Sequence, residues 1–333
     1  KSIKSVILKG DQSLSKRDFS RIIKPLNLFG VKTKSKKNRL PLKITGTDFL
    51  RPIEYDELRG SAQVKSCLLF CALNTPGITK IRAVPSRDHT ERLFKFLNIP
   101  IKIRREKKFD IIKIRGENQY NGFDYKIPGD ISSSAFFIVL TLLSKNSKIL
   151  IKNVNVNKSR TGIIDILKKM NANIRLINKK MYSGEDMADI FVKSGKSLKS
   201  INCAKEMNSR AIDEFLLIFL VCAKAKGISY FNNIGELRNK ECDRLKFSSN
   251  FLKMIGIKVK ETSNSLKIYG NPRLELNGNY EIKNYIKDHR VCMMSCIAAL
   301  VLGGTWKIYE SDSINTSFPK FFSKLKSLGA KIN

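Results

Sequence analysis

The feature that most constrains the fold of this chain is an internal repeat. Five times, a segment with Leu and Ile at helical spacing ends at Gly, Asn or an Ile-Pro step and continues as a short alternating, strand-like run. The turn residues lie 69, 72, 85 and 73 residues apart, and they are Gly30, Ile99, Asn171, Gly256 and Gly329. Such a unit is too long for the common solenoid repeats. Each unit therefore has room for several strands and more than one helix.

The segments before these helices are also regular. They read LSKRDFSR, PSRDHTER, NKSRTG, ECDR and NTSFPK, and the first four contain Arg. Each offers a Ser, Thr or Asp of the kind that caps helix N-termini. Helix N-termini carry unpaired N–H groups and attract phosphate and carboxylate. Simple capping explains any single copy, but four Arg-bearing copies favour an anion-binding cleft.

Length and composition indicate a globular protein with two domains. The chain has 333 residues, of which 42% are hydrophobic, and no apolar run reaches the length of a membrane span. Two near-apolar stretches, 215–223 and 291–303, are predicted to be buried helices. We expect a cytoplasmic monomer with no membrane association.

The formal charge of +34 does not by itself indicate nucleic-acid binding. The basic residues are mostly Lys, scattered among Ile and Asn, and these three amino acids share AT-rich codons. The motifs of the common nucleic-acid-binding domains are absent from the sequence. We therefore predict that nucleic acid is not a partner.

Cysteine and histidine argue against disulfides, metal and nucleophilic hydrolysis. The seven Cys include no pair with the two-residue gap of a zinc or redox motif, so reduced structural thiols are predicted. The two histidines, His89 and His289, each follow Asp and lie beside Arg, which favours a site. Two His without clustered ligands do not predict a metal, and no G-x-S-x-G motif is present. No cofactor is expected.

The stretch GELRNKECDRLK, residues 235–246, packs eight ionisable side chains into twelve positions between two apolar segments. Lys240 and Arg244 are four apart and are predicted to share one helical face. Glu241 lies between them in sequence, where nearby cations favour its ionised form. The pattern is typical of a site that holds anions and moves protons.

The chain resembles the 5-enolpyruvylshikimate-3-phosphate synthases. The resemblance runs from about Lys9 to the last residue, and SAQVKS and SRDHTE look like the bacterial subgroup often described as tolerant of glyphosate. Nine motifs carry it in the family's order, namely GDQSLSKR, GSAQVKSCLLFCALNTPGIT, SRDHTE, IPGDISSSAFF, SRTGI, IDEF, ELRNKECDRL, KDHR and NTSFP.

The resemblance implies an α/β fold, a two-domain inside-out α/β barrel of βαβαββ units with helices buried beneath sheets. Six units are implied and about five are visible, and the family's opening motif, with its catalytic Lys, Ser and Arg, is missing. We therefore expect an N-terminally truncated synthase that shows little or no turnover in isolation. The domain boundary is predicted at the IPGD step, giving domains 1–127 and 128–333.

The resemblance also implies a reaction. The enolpyruvyl group of phosphoenolpyruvate passes to the 5-hydroxyl of shikimate 3-phosphate through a tetrahedral adduct that loses phosphate. By motif position, Asp213 is the implied proton acceptor and Glu241 exchanges a proton with the C3 methylene. Shikimate 3-phosphate is assigned to Ser61, Ala62, Gln63, Arg87, Asp213 and Lys240. Phosphoenolpyruvate is assigned to Arg17, Gln63, Arg244 and Arg290, with Asp288 and His289 as supporting residues behind them.

Three positions depart from the family pattern. Asp18 stands where Pro is usual, Cys242 replaces a common Ser, and Thr316 stands where many members carry Lys. The first two changes are small. The third matches the tolerant subgroup.

Three alternatives stay open at this point. An enolpyruvyl transferase acting on a UDP-amino sugar shares the fold, but SAQVKS and SRDHTE are not its motifs. An RNA-processing cyclase with related repeats should carry its own nucleotide-linked His. A non-catalytic basic module would bind nucleic acid in a salt-sensitive way.

Overall fold

The computed structural model describes residues 5–117 and 121–332. The chain divides into two compact units. The first comprises residues 1–126 together with 182–185, and the second comprises 127–181 together with 186–333. The domain boundary predicted between residues 127 and 128 remains a prediction. No helix in the described ranges is long and apolar enough to cross a membrane.

Two sheets are formed by the described residues of the first unit. The elements, in chain order, are β1 (Ser5–Leu8), α1 (Gln12–Ser15), α2 (Ser20–Leu28), β2 (Lys32–Ser35), β3 (Leu42–Thr45), β4 (Glu54–Glu57), α3 (Ala62–Leu73), β5 (Ile78–Ala83), α4 (His89–Phe96), β6 (Ile101–Arg105) and β7 (Asp110–Arg115). One sheet has the strand order β1-β3-β2 and the other β4-β5-β7-β6. Buried and exposed side chains alternate along β5 and β7, as expected for strands with one buried face.

The second unit contains three sheets. Its helices are α5 (Ile131–Leu143), α6 (Gly162–Lys169), α7 (Asn208–Ala211), α8 (Phe215–Ala223), α9 (Arg244–Met254), α10 (His289–Leu302) and α11 (Phe321–Ser327). Its strands are β8 (Lys148–Asn155), β9 (Asn173–Tyr182), β10 (Glu185–Lys193), β11 (Asn202–Cys203), β12 (Gly227–Asn232), β13 (Val259–Glu261), β14 (Ser265–Gly270), β15 (Leu276–Ile282) and β16 (Gly303–Ile308). The 3-10 helices are Lys205–Met207, Gly235–Asn239 and Ser311–Thr316.

The five sheets follow one topology. In β4-β5-β7-β6 and in β11-β12-β14-β13, the first strand is parallel to the second, and the fourth strand lies antiparallel between the second and the third. The sheets β1-β3-β2 and β8-β10-β9 have the order of the last three strands, and the parallel pair β15-β16 has that of the first two. The predicted repeat of βαβαββ units is therefore confirmed.

A close backbone approach recurs at equivalent places in the two four-stranded sheets. A Cβ atom on Gly116, just after β7, would lie 1.9 Å from the carbonyl oxygen of Thr75. A Cβ atom on Gly270, at the end of β14, would lie 2.1 Å from the carbonyl oxygen of Ala225. In both of these βαβαββ repeats the fourth strand, β7 or β14, thus passes very close to the residues that follow the first helix, α3 or α8. Only Gly fits at that position.

The repeated helices end in the same way. In α2, α4, α6, α9 and α11 the first residue beyond the C-cap has positive φ, and the two N–H groups there bond back into the last turn of the helix, as in a Schellman motif. The positive-φ residues are Gly30, Asn98, Asn171, Gly256 and Gly329. The prediction is correct at four turns and wrong by one residue at Ile99. Ile99 is buried and belongs to the core, and the preceding Asn, which tolerates the left-handed region, makes the turn.

The predicted capping at the starts of these helices is only partly correct. The helices begin where expected, but within the described chain only Asp243 caps one of these five helices with its side chain, accepting from Lys246 N at 2.8 Å. Capping by side chains occurs instead on the inner helices, where Ser61, Asp130 and Asp288 cap α3, α5 and α10.

Each unit has its own hydrophobic core. In the second unit α5, α8 and α10 pack against one another, and all nine residues of α8 are buried. In α10 the residues from Val291 to Ala298 are buried, so both predicted buried helices are confirmed. The core of the first unit is centred on α3 and on the inner faces of β5 and β7. All seven cysteines are free thiols.

Candidate active site

The site in the second unit is built around Arg244, the first residue of α9, whose side chain is 2% exposed. Its Nε donates to Asp288 Oδ2 at 2.8 Å and its Nη2 donates to Asp288 Oδ1 at 3.2 Å. Nη2 also donates to Glu241 Oε2 at 2.6 Å. Burial opposes ionisation of Asp288, but the Arg244 guanidinium outweighs burial and holds the pKa of Asp288 below its usual value. The guanidinium is therefore fixed in orientation by charge-assisted hydrogen bonds.

Asp213 faces two of the predicted arginines from the turn between α7 and α8. Its Oδ1 lies 3.8 Å from Arg244 Nη1, and its Oδ2 lies 4.0 Å from Arg290 Nη2. Both separations exceed a hydrogen bond, whereas Arg290 Nη1 donates to the main-chain oxygen of Asp213 at 3.2 Å. Within the described residues Arg244 Nη1 is buried and makes no hydrogen bond. Donors and a carboxylate thus converge on one small region.

Lys240 contributes a third cation, but not from a helix. It follows the 3-10 helix Gly235–Asn239 in an extended conformation, and α9 begins only at Arg244. The prediction that Lys240 and Arg244 share one helical face is therefore wrong, because Asp243 caps α9 and excludes the preceding residues from it. Burial lowers the pKa of Lys240, and nearby Asp213 partly offsets that effect.

The Asp-His-Arg step at the start of α10 supports the site from behind. Asp288 is the N-cap and accepts from Arg290 N at 3.0 Å, and His289 opens the helix. Burial and the charge of Arg290 lower the pKa of His289, which favours a neutral imidazole. Cys242 Sγ lies 3.5 Å from Asp288 Oδ2, and burial raises the pKa of that thiol. Asp288 thus connects α9, α10 and the turn that carries Cys242.

The first unit holds the predicted shikimate-phosphate loop at the start of α3. Ser61 is the N-cap, and its hydroxyl accepts from Val64 N at 3.3 Å. The main-chain N–H of Ser61 donates to Glu57 Oε2 at 2.9 Å, and Glu57 is buried at the end of β4. The loop is therefore fixed to the sheet by a buried carboxylate.

The other predicted residues of this unit lie at the starts of its helices. Ala62 and Gln63 form the first turn of α3, and Gln63 Oε1 accepts from Arg21 Nη2 of α2 at 3.3 Å. Arg87 is half-buried in the loop before α4, and Arg17 is exposed in the bend after α1.

The structure adds residues of the first unit that the sequence analysis missed. The hydroxyl of Ser86, beside Arg87, is buried and without a hydrogen-bond partner within the described ranges. Lys65 on α3 and Glu91 on α4 form an ion pair of 2.6 Å with side chains 1% and 3% exposed. Both come from SAQVKS and SRDHTE, so a buried pair joins the two helices that follow these motifs.

In the second unit Glu214 is a buried acid that was not predicted from the sequence. This carboxyl is 2% exposed and accepts a short hydrogen bond from the hydroxyl of Ser132 on α5. An acid directly before the all-apolar FLLIFLVCA was the available signal, because a buried carboxylate needs a partner.

The arrangement in the second unit suits a small anion with more than one charge. Two guanidinium groups and one ammonium group lie near the carboxylates of Asp213 and Glu241, while the carboxylate of Asp288 is buried against Arg244. The setting is partly buried, and charge-assisted bonds are strong there. Among residues 5–117 and 121–332, no group of three or more metal-ligating side chains is found. Fixed cations beside acids that can exchange protons define an enzyme acting on anionic substrates by acid–base chemistry.

The comparisons with known proteins specify this class. The family model for EPSP synthase (3-phosphoshikimate 1-carboxyvinyltransferase) matches residues 1–325. A 3-phosphoshikimate 1-carboxyvinyltransferase of Ruthia magnifica is 39% identical over 329 residues, covering 97% of this chain and 73% of that protein. One of Petrotoga mobilis is 38% identical over 329 residues, covering 97% and 74%.

Solved structures of enolpyruvyl transferases are also similar to this chain. An EPSP synthase from Acinetobacter baumannii superposes with a TM-score of 0.87 at 34% identity, covering 99% of this chain and 74% of that one. The enolpyruvyl transferase NikO from Streptomyces tendae gives a TM-score of 0.76 at 16% identity, which shows a shared fold alone.

The chain belongs to the EPSP synthase family. The predicted family, its two-domain inside-out α/β fold class and its enzyme class, an enolpyruvyl transferase of the shikimate pathway, are confirmed. The roles of individual site residues remain predictions.

Proposed function

We propose that this protein transfers the enolpyruvyl group of phosphoenolpyruvate to the 5-hydroxyl of shikimate 3-phosphate and releases phosphate. The carrying observation is the position of Asp213, whose carboxylate lies 3.8 Å from Arg244 and 4.0 Å from Arg290. An acid and two arginines so arranged can hold an anionic substrate beside a group that accepts a proton.

In this proposal Asp213 is the general base. It takes the proton from the acceptor hydroxyl as the oxygen bonds to C2 of phosphoenolpyruvate. Glu241, 2.6 Å from Arg244, gives a proton to C3. The C2–O bond to phosphate then breaks, the leaving phosphate takes the proton held by Asp213, and C3 returns its proton to Glu241, so both carboxyl groups are restored. Each proton transfer involves a group near the reacting carbons.

The cations divide between the substrates. Phosphoenolpyruvate is assigned to Arg17, Gln63, Arg244 and Arg290. A guanidinium can grip its carboxylate or its phosphate with two N–H bonds. Lys240 supplies a point charge to shikimate 3-phosphate. Asp288 and His289 act by orienting Arg244 and Arg290.

The loops of the first unit carry the other residues assigned to shikimate 3-phosphate. Ser61, Ala62, Gln63 and Arg87 offer hydroxyl, main-chain, amide and guanidinium groups to shikimate 3-phosphate. We also propose that the protein acts as a cytoplasmic monomer and that residues 1–127 and 128–333 are separate domains. Limited proteolysis near Ile127 would test the boundary.

The test of the reaction uses the protein expressed from its complete gene. Phosphate release and the enolpyruvyl ether are measured with phosphoenolpyruvate and either shikimate 3-phosphate or a UDP-amino sugar. The proposal predicts product only with shikimate 3-phosphate. Product with the UDP-amino sugar would support the sister enzyme, and salt-sensitive DNA binding without product would support a basic binding module.

A further inference from the structure

A buried chain of polar side chains begins at the residue next to Asp213. Glu214 is 2% exposed, and its Oε1 accepts from the hydroxyl of Ser132 on α5. That hydroxyl in turn accepts from Arg160 Nη2 at 2.8 Å. Arg160 Nη2 also lies 2.9 Å from Asp130 Oδ1, at the N-cap of α5. Four residues from three segments therefore form one continuous network.

Burying this network costs folding free energy, so stability alone does not account for it. Glu214 lies among the apolar residues at the start of α8, and burial raises the pKa of its carboxyl, while Ser132 and the nearby cation of Arg290 oppose that rise. Replacing all partners of a buried polar contact by apolar groups of similar shape is often neutral or stabilising. Packing therefore does not explain an acid at this position.

The geometry connects the network to Asp213. On one side, Arg290 Nη1 donates to the main-chain oxygen of Asp213 at 3.2 Å. On the other side, the next residue, Glu214, is held by Ser132, and its own N–H donates to Ala211 O at 2.9 Å. The peptide group between Asp213 and Glu214 is thus held from two directions. The gaps of 3.8 and 4.0 Å to Arg244 and Arg290 depend on that placement.

We propose that Glu214 is a positioning residue, which acts through Ser132 and Arg160 to fix the carboxylate of Asp213 between Arg244 and Arg290. The inference rests on the proposed function for its kinetic consequence only. The placement of Asp213 itself can be measured without turnover. Loss of the network should displace the carboxylate, and misplacement by about 1 Å can cost on the order of 10²-fold in rate.

The kinetic test compares Ser132→Ala with Ser134→Ala in the protein expressed from its complete gene. Ser134 lies on the same helix and donates to Asp130 O, so it is a matched serine outside the contact with Glu214. Ser132→Ala and Glu214→Leu should lower kcat at least about tenfold, within the range for misplaced groups, with little change in KM for phosphoenolpyruvate. Ser134→Ala should remain near wild type. Glu214→Gln, which keeps an oxygen to accept from Ser132, should recover most of the rate.

A double-variant cycle separates positioning from general support. If Ser132 acts through Asp213, Ser132→Ala should have less than about a twofold effect in an Asp213→Asn background, because coupled residues are not additive. Full additivity, or equal kcat losses for Ser132→Ala and Ser134→Ala, would overturn the inference.

Crystal structures of Ser132→Ala and Ser134→Ala test the placement of Asp213 even if the protein shows no turnover. The distance from Arg290 Nη2 to Asp213 Oδ2 should change in Ser132→Ala and not in Ser134→Ala. An unmoved Asp213 in Ser132→Ala would overturn the inference and leave the proposed function intact. Absence of turnover in wild type would instead count against the proposed function.

Discussion

Arg244 and Asp288 form a two-point ion pair with side chains only 2% and 0% exposed, although 44 residues separate them in the sequence. The pair joins the start of α9 to the start of α10. Both helices place a predicted phosphoenolpyruvate-binding arginine, so this buried contact sets the geometry on which the candidate site depends.

Replacing Asp288 by Asn should destabilise the protein by about 3 kcal/mol, because the buried guanidinium of Arg244 loses its buried two-point carboxylate partner and keeps only the hydrogen bond to Glu241. Asn can still accept from Arg290 N, so the cap of α10 should persist. Urea unfolding measures the loss. Asp312→Asn is the control, because Asp312 pairs with Lys287 at 3.3 Å in an exposed setting and should matter by about 0.5 kcal/mol or less. Equal effects of the two variants would contradict the role of the buried pair.

Glu214 should make stability depend on pH. Burial raises the pKa of Glu214, so the folded protein binds that proton more tightly than the unfolded chain. The contribution of this group to the free energy of unfolding is therefore full below the ordinary pKa of 4.5 and falls as the pH rises through the folded pKa. Glu214→Gln should gain stability relative to wild type as the pH rises from 4 to 8. Glu275→Gln at the exposed Lys145 pair is the control, and identical pH profiles for wild type and Glu214→Gln would contradict the assignment.

The ion pair between Lys65 and Glu91 should be strongly non-additive. Both side chains are buried, so Glu91→Leu alone leaves an unpaired ammonium and should cost about 3 to 5 kcal/mol. The double change Lys65→Met with Glu91→Leu removes both charges and should recover much of that loss, as measured by urea unfolding. A double variant as unstable as the sum of the single variants would show that the two charges do not interact.

Replacing Arg290 by Lys keeps the charge but removes the planar group that can grip a carboxylate twice. The KM for phosphoenolpyruvate should rise by about tenfold, the effect of losing roughly one charge-assisted bond, while binding of shikimate 3-phosphate stays nearly unchanged. Arg273→Lys, at an exposed position, is the control. Equal weakening of both ligands would mean that Arg290 supports the site in general.

Local patterns predicted the repeat and its turns because those features depend on short segments. Gly30, Asn171, Gly256 and Gly329 end helices through a backbone conformation that Gly and Asn tolerate. Lys240 was misplaced because spacing alone does not reveal where a helix begins. That start depends on the cap at Asp243.

Long-range contacts were not predictable in the same way. The Arg244–Asp288 pair arises from the topology that brings α9 and α10 together, and Glu214 meets Ser132 across 82 residues. The sequence indicated Arg244 and Asp288 as residues of the site. It did not indicate that their side chains would pair, because no local pattern encodes a contact between distant segments.

The roles of Glu241 and Asp213 are tested most directly by the rate of phosphate release of Glu241→Gln and Asp213→Asn in the protein expressed from its complete gene. Both phosphoenolpyruvate and shikimate 3-phosphate are supplied at saturation. The control is Glu236→Gln, an exposed acid of the same charged stretch. Phosphate release should fall by about 10²-fold or more in each of the first two variants, the scale of lost acid–base catalysis, and stay near normal in the control. Near-normal release by either Glu241→Gln or Asp213→Asn would contradict its assigned role.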